Sequence, residues 1–103
     1  MNKKVSLPQA GRGAYLFCSL SAMEALFDHL PQENYLLVAL HRLNHGHIPT
    51  YRVCLEHMLQ NGNGDLEHLL EKTNLHDLGV KIADAIYLAW RGKKVSELAE
   101  DGQ

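Results

Sequence analysis

Apolar residues recur along this chain with two different periods, and the change from one to the other organises its first thirty positions. In "KKVSLPQAGRGAYLFCSL" (residues 3–20), Val5 and Leu7 stand on one side of a turn-rich "PQAGRG", with Leu16, Cys18 and Leu20 on the other. Apolar residues at every second position around Pro and Gly predict a two-stranded β-hairpin over about residues 4–20. Two strands alone are marginal in water, so this ribbon is expected to pack on something else. Leu20, Met23, Leu26, Phe27 and Leu30 then recur at helical spacing, with no glycine or proline between the two habits. Ser21 and Glu24 have the form of a capping box, in which the hydroxyl accepts from an orphan amide of the first turn and the carboxylate reaches back. A helix over about 21–30 therefore starts directly from the strand and stops at Pro31. Leu20, the last apolar residue of the strand, is expected to make that helix's first core contact.

The rest of the pattern is helical. Leu36, Ala39, Leu40 and Leu43 form the stripe of a helix over about 33–44, closed by "NHGH" with Gly46 suited to a left-handed turn. Pro49 and Thr50 introduce a helix over about 50–60 that places Tyr51, Cys54, Leu55, Met58 and Leu59 on one face. "NGNG" (residues 61–64) is the firmest break in the chain. Asp65 can cap a short helix over about 65–73 carrying Leu66, Leu69 and Leu70. The longest helix is expected over 75–91, with Leu78, Ile82, Ala85, Ile86 and Ala89 in period and Gly92 as its end. Gly79 lies inside that pattern at a cost of about 1 kcal/mol relative to alanine. Two explanations stand: a later helix start with Asp77 as the cap, which the sequence favours, or the close approach of another backbone. Residues 93–103, ending "SELAEDGQ", read as a polar tail with room for one extra turn. The expected fold is mainly α (α+β): an N-terminal two-stranded β-hairpin packed on a small bundle of four to five helices, in a single domain.

Composition narrows the classes of function. With 103 residues, 46% apolar and 21% charged, the chain can bury one modest core. Ten basic residues against twelve acidic ones give a formal charge of -2, and neither sign is gathered into a block. That argues against binding a polyanion by bulk electrostatics. The N-terminal "MNKKVSLPQAGRG" lacks the apolar run of a secretory signal, and there is no stretch long enough to span a bilayer, so a soluble, cytoplasmic protein is expected. Cys18 and Cys54 are then expected as two buried thiols rather than a disulfide.

Candidate chemistry is sparse. Seven histidines are many for this length. His41 and His45, at i and i+4, share a helical face, and Cys54 and His57 have Cys-x-x-His spacing, but these halves do not make the two paired ligand motifs of a structural zinc site. Histidines at helix ends also suit the carbonyl-rich terminus, so no metal and no cofactor are assigned. Nucleophile-elbow, P-loop, dinucleotide-binding and H-E-x-x-H motifs do not occur. Glu56 beside His57, and Glu67 beside His68, point about 100° apart on a helix, so no acid and base pair is ready and a non-enzymatic protein is expected. The segment "ENYLLVALHRLNHGHIPTYRVCLEHMLQ" (residues 33–60) reads as helix, turn, helix, with Thr50, Tyr51 and Arg52 where a recognition helix would meet bases. That helix also carries Glu56, has few basic neighbours and needs Leu55, Met58 and Leu59 for the core. A helix-turn-helix-like DNA-binding regulator is thus kept as an alternative rather than the main reading.

The arrangement "VSLPQAGRGAYLFCSLSAMEALFDHL" (residues 5–30) resembles the start of the small tail proteins of gene transfer agents and of their relatives in long-tailed phages and prophages. Members open with a ribbon of the form apolar-x-apolar, turn, Gly-Arg-x-Tyr-x-Leu, and run straight into a helix of the form Asn/Ser-Ala-x-x-x-Leu-Glu. Gly11, Arg12, Tyr15 and Leu16 match the ribbon, with one extra residue at Gly13. Ser21, Ala22, Met23 and Leu26 match the helix, with the acid at Glu24 instead of after the leucine. The rest of the chain agrees in its order of helices, its Gly/Asn break and its long final helix. The resemblance implies a tail assembly chaperone in the cytoplasm of a bacterial host, holding the tape measure protein soluble while tail tube subunits polymerise around it. Tape measure protein and/or tail tube protein are the implied partners, with self-association also open. Labels in this group also read tail tube protein, so a minor structural tail protein is a further alternative; a tube subunit, however, builds a ring from continuous sheet, which two short strands cannot supply. A client surface would draw on aromatic residues beside the core stripes, and Tyr15, Phe17, Tyr35, Tyr87 and Trp90 are the candidates, Trp90 foremost.

Overall fold

The computed structural model describes residues 2–94. Three short strands and five α-helices follow in the order β1 (Val5–Ser6), β2 (Tyr15–Leu16), α1 (Leu20–His29), α2 (Tyr35–Asn44), α3 (Ile48–Met58), β3 (Leu59–Gln60), α4 (Leu66–Leu70) and α5 (Leu75–Arg91). The fold is mainly α with a small antiparallel sheet, as the hydrophobic pattern predicts. The extra turn expected in the tail lies outside the described residues.

The hairpin forms with Val5 opposite Leu16 and Ser6 opposite Tyr15. Its loop tightens into a 3₁₀ turn over Pro8–Ala10, where proline's fixed φ suits the first helical position. What the sequence did not announce is the third strand: Leu59 and Gln60 pair antiparallel with Leu16 and Tyr15, making β2 the centre of the sheet. The expected helix over 50–60 therefore ends at Met58. The Phe17 amide donates to the Met58 carbonyl at 2.9 Å, so the chain leaving β2 is tied to the end of α3. Leu16 is completely buried under this arrangement.

The strand-to-helix switch occurs two residues earlier than the capping box suggests. Ser19, in extended conformation, is the N-cap, and its Oγ accepts from the Ala22 amide at 3.1 Å. Ser21 lies inside the helix. This earlier start turns Leu20 outward: it is 77% exposed and makes no first core contact. The face that α1 buries runs instead through Ala22 and Leu26 to Leu30, chiefly against α3.

α2 packs mainly on α5, whose observed bounds coincide with the expected 75–91. Asn74, not Asp77, caps α5, its Oδ1 accepting from the Asp77 amide at 2.8 Å. Gly79 is therefore well inside the helix, and a close approach explains it, though chiefly by a side chain and only secondarily by a backbone. A Cβ there would collide with the Tyr51 hydroxyl and stand 3.3 Å from the Leu43 carbonyl oxygen. Tyr51 is fully buried, and its hydroxyl donates to the Leu43 carbonyl at 2.7 Å, with the Leu75 carbonyl 3.0 Å away. One phenol thus serves the last turn of α2 and the first residue of α5, where helix carbonyls and packing meet. Leu26, Leu69, Leu78, Ile82 and Ile86 complete the core, each worth about 1.5–3 kcal/mol when withdrawn from water.

Candidate protein-binding surface

Helical geometry explains how α1 comes to have two apolar faces. At 3.6 residues per turn, Leu20, Met23 and Phe27 lie along a line displaced by about a quarter turn from the buried Ala22, Leu26 and Leu30. The apolar arc is too wide for one seam, and its outer part reaches solvent: Phe27 is 45% exposed and Met23 half-buried. Glu24 and Asp28 border this ridge on the side away from the core, and both are exposed. Tyr35, at the first position of α2, closes the other end, its ring meeting Phe27 edge-on with centroids 5.4 Å apart. Leu20, Met23, Glu24, Phe27, Asp28 and Tyr35 together line a shallow depression of about 490 Å³.

The surface continues across α2. Tyr35 also lines a second, smaller hollow with Glu33, Leu36, Leu37 and Trp90, in which Leu37 is 54% exposed. The Trp90 ring is met edge-on by Tyr87 at 5.8 Å and covered by the Arg91 guanidinium at 4.3 Å, a cation–π arrangement. Tyr87 in turn belongs to an apolar groove of about 260 Å³ between α2 and α5, with Leu40, Leu43, Val80 and Ala83 among its walls. Of the five aromatic candidates, Tyr35, Tyr87 and Trp90 are thus neighbours around α2. Tyr15 and Phe17 stand apart on the sheet side, half-buried, with Lys4 Nζ 4.6 Å from the centre of the Tyr15 ring. Leu20, Met23, Phe27 and Leu37 were not among the candidates, because helical spacing assigned the first three to the core. The width of the α1 apolar arc was the signal that could have found them.

The polar groups form a different kind of assembly. Where α1, α2 and α3 converge, Arg42 Nη1 is 3.0 Å from His47 Nε2, and His47 Nδ1 is 2.9 Å from Thr50 Oγ1. Arginine can only donate, so His47 Nε2 accepts and its Nδ1–H donates to the threonine hydroxyl. Thr50 Oγ1 lies 3.2 Å from His29 Nε2. Burial first, and then the electrostatic influence of the neighbouring His47 and Arg42, hold the His29 imidazole below its ordinary value of 6.5. This chain satisfies the fully buried Thr50 hydroxyl and joins three helices. His41 and His45 bring their rings to 4.3 Å, yet among the described residues no group of three or more His, Cys, Asp or Glu side chains is placed to hold a metal ion. Cys18 and Cys54 are free, buried thiols; burial pushes the first up to about 11 and the second higher still, which removes the thiolate that nucleophilic chemistry needs. No helix among the described residues is long and apolar enough to cross a membrane. No family model, curated protein or solved structure matches the chain.

Proposed function

We propose that the chain is a non-enzymatic binding module of the tail-assembly-chaperone kind, which masks apolar segments of a long partner protein such as a tape measure protein. One observation carries this reading: Leu20, Phe27 and Leu37 stay exposed beside the half-buried Met23, Tyr35 and Trp90. Contiguous exposed apolar side chains with aromatic members are what a protein-docking surface presents. The order of ribbon and helices supports the reading that the resemblance of residues 5–30 implies, although residues 17–19 separate β2 from α1. The helix-turn-helix alternative is less favoured, since Thr50 and Tyr51 are buried and of the three presumed base readers Arg52 alone is exposed. The tail tube alternative has two-residue strands to build on, too short for a ring-forming sheet. Co-expression tests the proposal: a long helical tape measure protein from the same genome should move into the soluble fraction and co-purify with the chain. Continued aggregation of that partner, with this protein itself soluble and folded, rejects the reading.

A further inference from the structure

We infer that the outer face of α1 recognises one kind of segment: an amphipathic α-helix whose apolar ridge is flanked by lysine or arginine. The inference rests on the binding-module reading and specifies which surface acts and what it selects. Leu20, Met23 and Phe27 are spaced i, i+3 and i+7 along two turns, with Tyr35 rising beside the last of them, so the depression has the length and lining to receive the i, i+3, i+4 side chains of a crossing helix. Its charged border is of one sign. Glu24 and Asp28 line it, Glu33 stands in the adjoining hollow beside Tyr35, and no basic residue lines the depression itself. In the adjoining surface, the Arg91 guanidinium is stacked on Trp90.

This charge pattern decides among occupants. Residues 95–103 of the same chain carry Glu97, Glu100 and Asp101 and no basic residue, so they would meet like charge. A second copy docking this face by two-fold symmetry would bring the acidic rim of Glu24 and Asp28 up to the same rim on its partner, and like charges juxtaposed across an interface cost several kcal/mol. Anionic lipid would be repelled in the same way. A helix with basic flanks meets none of these penalties: its apolar ridge covers Leu20 and Phe27, and its lysines reach the exposed carboxylates at the rim, where charge sets specificity and association rate.

The test uses two synthetic amphipathic peptides of equal length and identical leucine ridge, one flanked by lysines and one by glutamates, titrated against the full-length protein at low salt. The lysine peptide should bind at least about tenfold more tightly than the glutamate peptide. Leu20→Ser/Phe27→Ser should lower affinity for the lysine peptide by about tenfold or more, Glu24→Lys/Asp28→Lys should invert the preference, and Val80→Ser in the α2–α5 groove should change neither, circular dichroism confirming that each variant is folded. A lysine preference that survives the Glu24→Lys/Asp28→Lys reversal, equal binding of both peptides, loss of binding in Val80→Ser alone, or sedimentation showing wild-type dimers that Leu20→Ser/Phe27→Ser converts to monomers would overturn the inference. Binding of neither peptide overturns it as well. The co-expression assay reads the broader proposal separately, because a solubilised tape measure protein together with no peptide preference leaves chaperoning intact and removes only the charge-selective α1 face.

Discussion

The Tyr51 junction and the outer face of α1 are built from similar materials, large side chains at helical spacing, yet they do opposite things. At the junction, Tyr51 is fully buried, its hydroxyl holds the Leu43 carbonyl at 2.7 Å, and Gly79 leaves the space the ring needs. Deleting the hydroxyl removes a buried hydrogen bond, and adding a Cβ at Gly79 drives two groups into collision. On α1, Leu20 and Phe27 are 77% and 45% exposed, and truncating them strands no polar group. Apolar spacing alone does not separate inside from outside; whether another element presses on the face does. The first region contributes to stability, and the second is free to contribute to binding.

The strongest way to break that contrast is at Tyr51. Tyr51→Ala should cost about 3–5 kcal/mol in urea denaturation, the range for emptying a large aromatic site in a packed core. Next, Gly79→Ala should cost about 1–3 kcal/mol through overpacking against Tyr51, and Tyr51→Phe about 0.5–1.5 kcal/mol by removing a buried hydrogen bond to a carbonyl that keeps its Gly46 amide donor. Because removing the hydroxyl clears part of the space an alanine at 79 would need, the double variant should lose less than the sum of the two. A strictly additive cycle would show that the two residues do not touch.

A smaller effect sharpens the boundary between the regions, since His29 sits on α1 where it meets α2 and α3. Its imidazole is held below 6.5 by burial and by His47 and Arg42, so the unfolded chain takes up that proton first. The contribution is intact above about pH 6.5 and lost as pH falls from there through the folded-state value. Urea midpoints measured on the acid side should decline, and His29→Gln should remove part of the slope; an unchanged slope means the ring is solvated in the folded protein. Smallest of all, Leu20→Ser should shift stability by no more than about 0.5 kcal/mol, as surface changes do.

The sequence carried the fold class and the bounds of α5 clearly, because a long amphipathic helix with a glycine stop is a local signal. It hid β3, since Leu59 continues the apolar stripe of α3 and a two-residue strand exists only through its distant partner β2. The capping-box pattern placed the cap of α1 at Ser21, whereas the cap is Ser19, just downstream of the point where the Phe17–Met58 hydrogen bond ties the chain to the end of α3. Gly79 was visible as an anomaly, but its cause lies with Tyr51, 28 positions earlier in the chain. Tyr35 and Trp90 were singled out from the sequence as aromatic residues outside the stripes. Leu20 and Phe27 were not, because only the placement of α3 shows which part of the apolar arc is covered.

The contrast between the two regions is tested most directly by the solubility of a co-expressed tape measure protein in the presence of wild-type chain and of Leu20→Ser/Phe27→Ser. The account predicts that the wild type keeps the partner soluble while the variant, still folded and about as abundant, lets it aggregate. A variant that protects the partner as well as the wild type does would place the binding function elsewhere on the molecule.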